Sequence, residues 1–295
     1  MEIPKRKRSR LLFFALICSC TLSSGDGLAQ NSISGARQSI EAKDKDRDKK
    51  DEDEPWNEEH DRHPRQGDRW ADEDDEDASL LGNLVREMLF LPYTAPRWLL
   101  NDNGQPASFT DYPFATEGAA NLVINQFPST TAKIARLRFG MEYGDNFDRQ
   151  QKITTRVLLD SKFRLGIDTS FDYLREQLGA SEHDQTWLGD INLTWRFAQS
   201  SRAEWRAGIG YNWQSDSFGS DGGFNFTYGG NIYMNQPNVI DFDLDLGQIG
   251  NASLNRFRVG YSLYLKRVRL TLGYEHLRIG TFKTNYFNSG IGIDF

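Results

Sequence analysis

RFRVGYSLYLKRVRLTLGYE, residues 256–275, is the segment that decides the fold. Apolar and aromatic side chains occupy every second position from 257 to 265, and the alternation resumes from 268 to 274 after a short link at Lys266 and Arg267. Successive side chains of a β-strand point to opposite faces, so a period of two predicts strands with one apolar and one polar face. The short link between the two runs predicts an antiparallel pair.

The same period extends over residues 131–295 and predicts about ten strands. They include 135–143, 153–159, 163–173, 187–197, 203–213, 224–234, 240–246, 257–265, 268–274 and 289–295. Strands of roughly ten residues suit a tilted crossing of a membrane, whereas strands of soluble sandwiches are nearer five or six residues. We therefore predict an all-β fold, an antiparallel up-and-down transmembrane β-barrel.

The connections between the predicted strands alternate in length. Short links alternate with longer stretches rich in Gly, Asp and Asn, such as 174–185 and 214–222. Barrels of this kind have short periplasmic turns and longer outer loops, so the alternation places both barrel termini in the periplasm. Twelve strands would result if parts of 107–127 joined the sheet, but Pro113 and Pro128 oppose this alternative.

The last strand carries a spaced pattern of its own. Asn288 and Gly290 supply a polar residue and a glycine two positions later, and Ile293 and Phe295 are hydrophobic at the third and fifth positions after that glycine. In this pattern the chain resembles the bacterial outer-membrane β-barrel class. The resemblance implies insertion by the barrel-assembly machinery and residence among the lipids of the bacterial outer membrane. It covers the predicted barrel and points to no single family or activity.

The amino terminus has the features of an export signal. Basic residues at 5–8 precede an apolar run at 11–18, which predicts a signal peptide over 1–29 with cleavage before Gln30. The alternative is a lipoprotein that keeps Cys20 as a lipidated amino terminus. Cleavage before Gln30 removes both cysteines, so the exported chain would have neither disulfides nor thiolate ligands.

Three further segments precede the barrel. Charge dominates residues 30–78, which include the run DEDDED at 72–77. Such a segment buries too little apolar area to offset its ordering entropy, so we predict a disordered acidic spacer, with binding of a periplasmic partner as an alternative role. Residues 79–91 have apolar side chains at helical spacing and end at Pro92, which predicts a short amphipathic helix. Residues 92–130 are predicted to be a linker or plug.

The polar faces of the strands carry many arginines and acids, and ten strands leave only a narrow lumen. We predict that these charges pair and fill the lumen, which gives the protein a structural or minor-channel role. The alternative is a narrow pore for ions or small solutes, because opposed charge ladders can line a constriction. The predicted ladder consists of Asp241, Asp243, Asp245, Arg256, Arg258 and Arg269.

A lipid hydrolase at the outer rim is a third hypothesis, and His276 is its best-placed base. A serine nucleophile two residues further would share the face of His276, but Arg278 occupies that position, so no enzyme is predicted. The sequence has no phosphate-binding loop and no metal-ligand spacing, so we predict neither cofactor nor metal site. With 42 Asp and Glu against 35 Lys and Arg, the chain has no concentrated basic face for nucleic acid.

Overall fold

The computed structural model describes residues 32–41, 90–116, 119–124, 133–179 and 182–295. The predicted signal peptide and residues 42–78 of the predicted spacer lie outside these ranges. The helices are α1, Ile33–Glu41, and α2, the helical residues 90–99. The strands are β1 Ala107–Phe109, β2 Leu122–Ile124, β3 Ala135–Asp145, β4 Gln150–Ser161, β5 Leu165–Gln177, β6 His183–Gln199, β7 Ala203–Ser215, β8 Ser220–Tyr233, β9 Asn238–Ile249, β10 Ala252–Leu265, β11 Val268–Ile279 and β12 Phe282–Asp294.

Strands β3 to β12 form a closed antiparallel barrel. Each strand pairs with the next one along the chain, and β12 pairs with β3. At the seam the Phe295 N–H donates to Leu137 O at 2.8 Å, and the Leu137 N–H donates to Phe295 O at 3.2 Å. The prediction of ten strands is confirmed, since β1 and β2 form a separate two-stranded sheet.

The barrel wall is inverted relative to a soluble protein, because its apolar side chains face outward and its charged side chains face inward. Large apolar side chains are exposed on its outer face, among them Leu272 at 65% and Ile209 at 58%. Charged side chains such as Arg258 and Glu204 face inward and are 3% exposed. A closed barrel satisfies its backbone hydrogen bonds without water, and its apolar outer face suits hydrocarbon. The alternation of the sequence thus builds the predicted membrane-spanning barrel.

The two ends of the barrel have connections of similar length. We call the end where β3 begins and β12 ends the near end, and the opposite end the far end. Connections have two to four residues at the near end and two to five at the far end. The prediction of longer loops over 174–185 and 214–222 is wrong. β5 continues to Gln177 and β7 to Ser215, because ladder hydrogen bonds use the backbone and persist where the side chains become polar.

Helix α1 lies inside the far end of the barrel, although the sequence predicted disorder over 30–78. Ile33, Ala36 and Ile40 recur at helical spacing and are buried against inward-facing apolar side chains of the wall. This apolar stripe is the physical reason that residues 33–41 are ordered. The prediction is therefore wrong for α1.

Helix α2 extends further than the sequence predicted. Residues 79–89 of the predicted helix 79–91 lie outside the described part of the chain, and the expected end at Pro92 is wrong because 92–99 is helical. Pro96 has no N–H to donate to the carbonyl of Pro92. The Tyr228 hydroxyl donates to that carbonyl instead, at 2.8 Å, so the helix continues without an orphaned acceptor.

Helix α2 packs on the outer wall toward the near end. The Tyr93 ring lies 5.5 Å from the ring of Trp195 and 5.1 Å from that of Phe197, measured between centroids. In the described ranges no helix is long and apolar enough to span a membrane.

Candidate functional site in the barrel lumen

The predicted charge ladder lies in the lumen, where β9 and β10 are neighbours. Asp245 is the register partner of Arg256, and Asp243 is the register partner of Arg258. All six ladder side chains are buried. The structure thus brings the ladder residues together, and their closest ion pairs reach beyond the neighbouring strand.

The charged side chains of the lumen form layers along the barrel axis, and Asp243 is the centre of the layer in the middle of the barrel. It accepts a hydrogen bond from Arg206 at 2.5 Å and another from Arg156 at 3.2 Å. Its register partner Arg258 is 3.9 Å away and contacts Glu142 more closely. Charge-assisted hydrogen bonds are roughly twice as strong as neutral ones. Because the partners of Asp243 lie on β4, β7 and β10 and the closest partner of Arg258 lies on β3, the ion pairs brace the lumen from wall to wall.

Arg256 organises the layer above Asp243, toward the far end. Its guanidinium lies 2.8 Å from Asp172, 3.3 Å from Asp190 and 3.8 Å from Glu275. Glu275 also forms an ion pair with Lys152, at 2.5 Å. One arginine and one lysine therefore hold three carboxylates from β5, β6 and β11 across the lumen.

Arg269, like Asp241, forms no ion pair within the described residues. Its guanidinium lies against Gly140 and Gly292, where an added Cβ would come within 3.0 to 3.1 Å of its nitrogen atoms. The Nε atom is buried and has no hydrogen-bond partner in the described ranges. Beside it is a cavity of about 40 Å³, bordered by Asp241 and Asp243. A space of this size holds roughly one to three waters.

A hydrogen-bonded cluster around Glu204 of β7 closes the lumen at the near end. Its carboxylate accepts bonds from Arg136 at 3.0 and 3.2 Å and from Arg138 at 3.3 Å. It also accepts a bond from the Tyr233 hydroxyl at 3.1 Å and one from Asn121 at 3.2 Å. Asn121 precedes β2, so the cluster ties the segment before the barrel to the barrel wall.

Phe109 of β1 covers this cluster from the near end. Its ring is fully buried, with the guanidinium of Arg136 at 4.8 Å and that of Arg196 at 4.9 Å from its centroid. Cations over an aromatic face are attracted by the ring quadrupole, and more strongly when desolvated. The described part of the segment after α2, residues 100–116 and 119–124, thus lies at the near end of the lumen.

Two ion pairs fasten this segment to the turns of the near end. Arg164 binds Asp102 through both terminal nitrogens at 2.7 Å, and Arg267 contacts both oxygens of Asp111 at 2.7 Å. Burial raises the pKa of Asp102, but hydrogen bonds from Arg164 and from two backbone N–H groups outweigh burial and hold the pKa below its ordinary value of 3.8. Asp102 is therefore ionised at neutral pH.

At the far end, helix α1 is surrounded by inward-facing side chains of the wall, which we call the collar. The Ile33 N–H donates to Glu176 at 2.7 Å, which places a carboxylate at the positive end of the helix. Arg37 pairs with Asp216 at 2.7 Å and with Asp184 at 3.3 Å. The apolar residues of the collar are Leu174, Leu188, Ile249, Ala252, Leu254, Leu277, Ile279, Phe282 and Tyr286.

His276 lies on the outer face toward the far end, where the sequence placed it. Its Nδ1 is 2.7 Å from Asn285 Oδ1, which also accepts a bond from the Tyr274 hydroxyl at 2.9 Å. Within the described residues no carboxylate and no serine or threonine hydroxyl bonds to His276, so the grouping that a hydrolase needs does not form there. The same residues contain no group of three or more His, Cys, Asp or Glu side chains that could hold a metal ion.

The residues of the predicted assembly signal are divided between the two faces of β12. Asn288 and Gly290 face the lumen, and Ile293 and Phe295 face outward. A Cβ at position 290 would overlap the side chain of Glu142, so the packing of the lumen requires glycine there. Recognition by the assembly machinery stays a prediction.

Comparisons with known proteins give a weak structural likeness. No protein-family model and no curated protein matches the chain. The NanC porin is 12% identical with a TM-score of 0.33, over 53% of this chain and 98% of that one. The N-terminal β-barrel domain of Pseudomonas aeruginosa OprF is 10% identical with a TM-score of 0.29, over 54% and 97%. The outer membrane protease OmpT from Escherichia coli is 8% identical with a TM-score of 0.30, over 55% and 94%. Likeness at this level says nothing about the activity of this chain.

Sequence reasoning missed the groups that cover the two ends of the lumen. Nothing local marks Phe109 as a buried ring, because β1 has three residues and its partners lie on distant strands. A signal for α1 was present in the spacing of Ile33, Ala36 and Ile40, but the surrounding charged residues concealed it.

Proposed function

We propose that this chain is a bacterial outer-membrane barrel with a structural role, and that its lumen does not conduct solutes. The observation that carries the proposal is the network of ion pairs that crosses the lumen. The layers around Asp243 and Arg256 and the Glu204 cluster cross the lumen, and the cavity of about 40 Å³ beside Arg269 lies between them. Buried charges of this kind are strongly held once paired, because separating a pair leaves an uncompensated charge in a medium of low dielectric constant.

The outer-membrane location is supported by the inverted wall and by the pattern at the carboxyl end. We assign the near end to the periplasm, because both termini of the barrel lie there, and the far end to the outside. Export by a signal peptide, insertion by the barrel-assembly machinery and binding of a periplasmic partner by the acidic run 72–77 belong to the same proposal.

A narrow pore is the second candidate function. Arg269 favours it, because this arginine borders the central cavity and has no ion pair in the described part of the chain. A side chain without a fixed partner could exchange ions with the cavity.

Conductance in planar bilayers separates the two candidates. The protein should first show heat-modifiable mobility on a denaturing gel, which establishes a folded barrel. We expect no steady conductance steps from this material. Steady steps that scale with salt, and whose ion selectivity changes with Arg258→Gln but not with the outward-facing control Arg175→Gln, would replace the structural role by the narrow pore.

A further inference from the structure

Two cations oppose each other on the outer wall at the far end. Arg278 of β11 and Lys283 of β12 are register partners, and both are exposed on the outward face beside the turn at 280–281. Like charges directly opposite each other on one face destabilise a strand pair. This position therefore favours a negative group from outside the two strands.

The protein supplies no such group in the ranges that the structure describes. Neither Arg278 nor Lys283 forms an ion pair there, and the residue opposite Arg278 on β10 is the neutral Asn255. Arg278 Nε donates to Gly280 O at 3.1 Å. The terminal nitrogens of the guanidinium remain available for a ligand.

Hydrogen-bonding groups lie next to the cations, toward the middle of the wall. His276 and Asn285 are the next outward-facing register pair, roughly 7 Å along the strands from Arg278 and Lys283. Asn285 Oδ1 is occupied by His276 and by the Tyr274 hydroxyl. The Asn285 amide nitrogen and the second ring nitrogen of His276 can therefore serve a ligand.

Aromatic and aliphatic side chains continue the strip toward the middle of the membrane. Tyr274 and Phe287 form the next register pair, with their ring centroids 5.6 Å apart, and Leu272 follows. From the far end inward, the wall thus presents cations, hydrogen-bond donors, aromatic rings and aliphatic groups. A membrane lipid presents a phosphate, its polar backbone and its acyl chains in the same order.

We propose that Arg278, Lys283, His276, Asn285 and Tyr274 form a binding site for a phosphate-bearing lipid of the outer leaflet. Arg278 and Lys283 bind the phosphate through charge-assisted hydrogen bonds, which are stronger than neutral ones. His276 and Asn285 bond to the polar backbone of the lipid, and the ring of Tyr274 packs at the start of its acyl chains. The inference rests on the proposed outer-membrane location with the far end outside.

Binding of diphosphorylated lipid A to the folded barrel in micelles, followed by native mass spectrometry, tests the site. The double variant Arg278→Gln with Lys283→Gln is expected to bind at least about tenfold more weakly than the wild type. The control Arg175→Gln removes an exposed, outward-facing cation at the far end of β5 and should bind like the wild type. Equal binding by the double variant would overturn the site. Displacement of lipid A by inorganic phosphate at similar concentrations would overturn it too, because the site would then take the free anion.

The same preparations separate failure of this inference from failure of the proposed location. Each sample is compared unboiled and boiled on a denaturing gel, and Lys283→Cys is treated in intact cells with a membrane-impermeant maleimide. A mobility shift and labelling from outside, with undiminished lipid A binding by the double variant, refute the lipid site alone. Absence of both the shift and the labelling refutes the outer-membrane location and the lipid site with it.

Discussion

Substitution of Glu204 by glutamine removes the charge on which the near-end cluster depends. The carboxylate serves two arginines, Tyr233 and Asn121, and it is 3% exposed. Glutamine keeps the size of the side chain and one acceptor oxygen. It no longer compensates the guanidinium groups, so Glu204→Gln leaves buried positive charge beside Phe109.

The magnitude follows from the partners that remain. Removing one member of a buried ion pair costs about 3–5 kcal/mol. Arg136 keeps Asp160 at 2.5 Å, and Arg138 keeps Asp294 at 3.6 Å, so the lower part of that range applies. We expect the free energy of unfolding to fall by about 3 kcal/mol, a factor of roughly 100 in the ratio of folded to unfolded protein.

Equilibrium urea unfolding in lipid vesicles, followed by tryptophan fluorescence and by heat-modifiable mobility, measures this change. Asp148→Asn is the matched control, because it also neutralises one carboxylate but in an exposed far-end turn, and it should stay within about 0.5 kcal/mol of the wild type. Protease cleavage near Asn121 should accelerate in Glu204→Gln, since the one oxygen that glutamine keeps must then serve both Arg138 and Asn121, which bond to different oxygens of Glu204. A Glu204→Gln barrel as stable as Asp148→Asn would refute the reasoning that the near-end cluster depends on this charge.

Two further predictions concern the near end. The pKa of Asp102 is lower in the folded protein than its ordinary value of 3.8. The ionised carboxylate therefore stabilises the folded near-end segment above pH 3.8, and this stabilisation is lost as the pH falls through the lower pKa of the folded state. Limited proteolysis of 100–105 should accelerate between pH 5 and pH 3, and Arg164→Gln should remove most of this pH dependence. Deletion of Phe295 removes both backbone hydrogen bonds to Leu137, and gels of unboiled outer-membrane fractions should then lack the faster-migrating folded form. An unchanged folded form would show that the seam closes without this residue.

The wall of the barrel could be predicted because its physical cause is local. Residues of β3 with even numbers face the lumen and those with odd numbers face outward. The period of two therefore assigns Arg136 and Leu137 to opposite faces without reference to other strands. A slip of one residue in β10 would turn Arg256 and Arg258 into hydrocarbon, at about 2–4 kcal/mol each near the midplane. Such penalties are large beside a total stability of about 5–15 kcal/mol, so the pattern selects one register.

The partners inside the lumen could not be predicted in the same way. Arg256 is 2.8 Å from Asp172 of β5 but 4.0 Å from Asp245, its partner in the wall. The proximity of Asp172 depends on how ten strands close around the lumen, and no local pattern encodes that closure. The sequence therefore identifies the charged residues of the ladder and leaves open which of them pair.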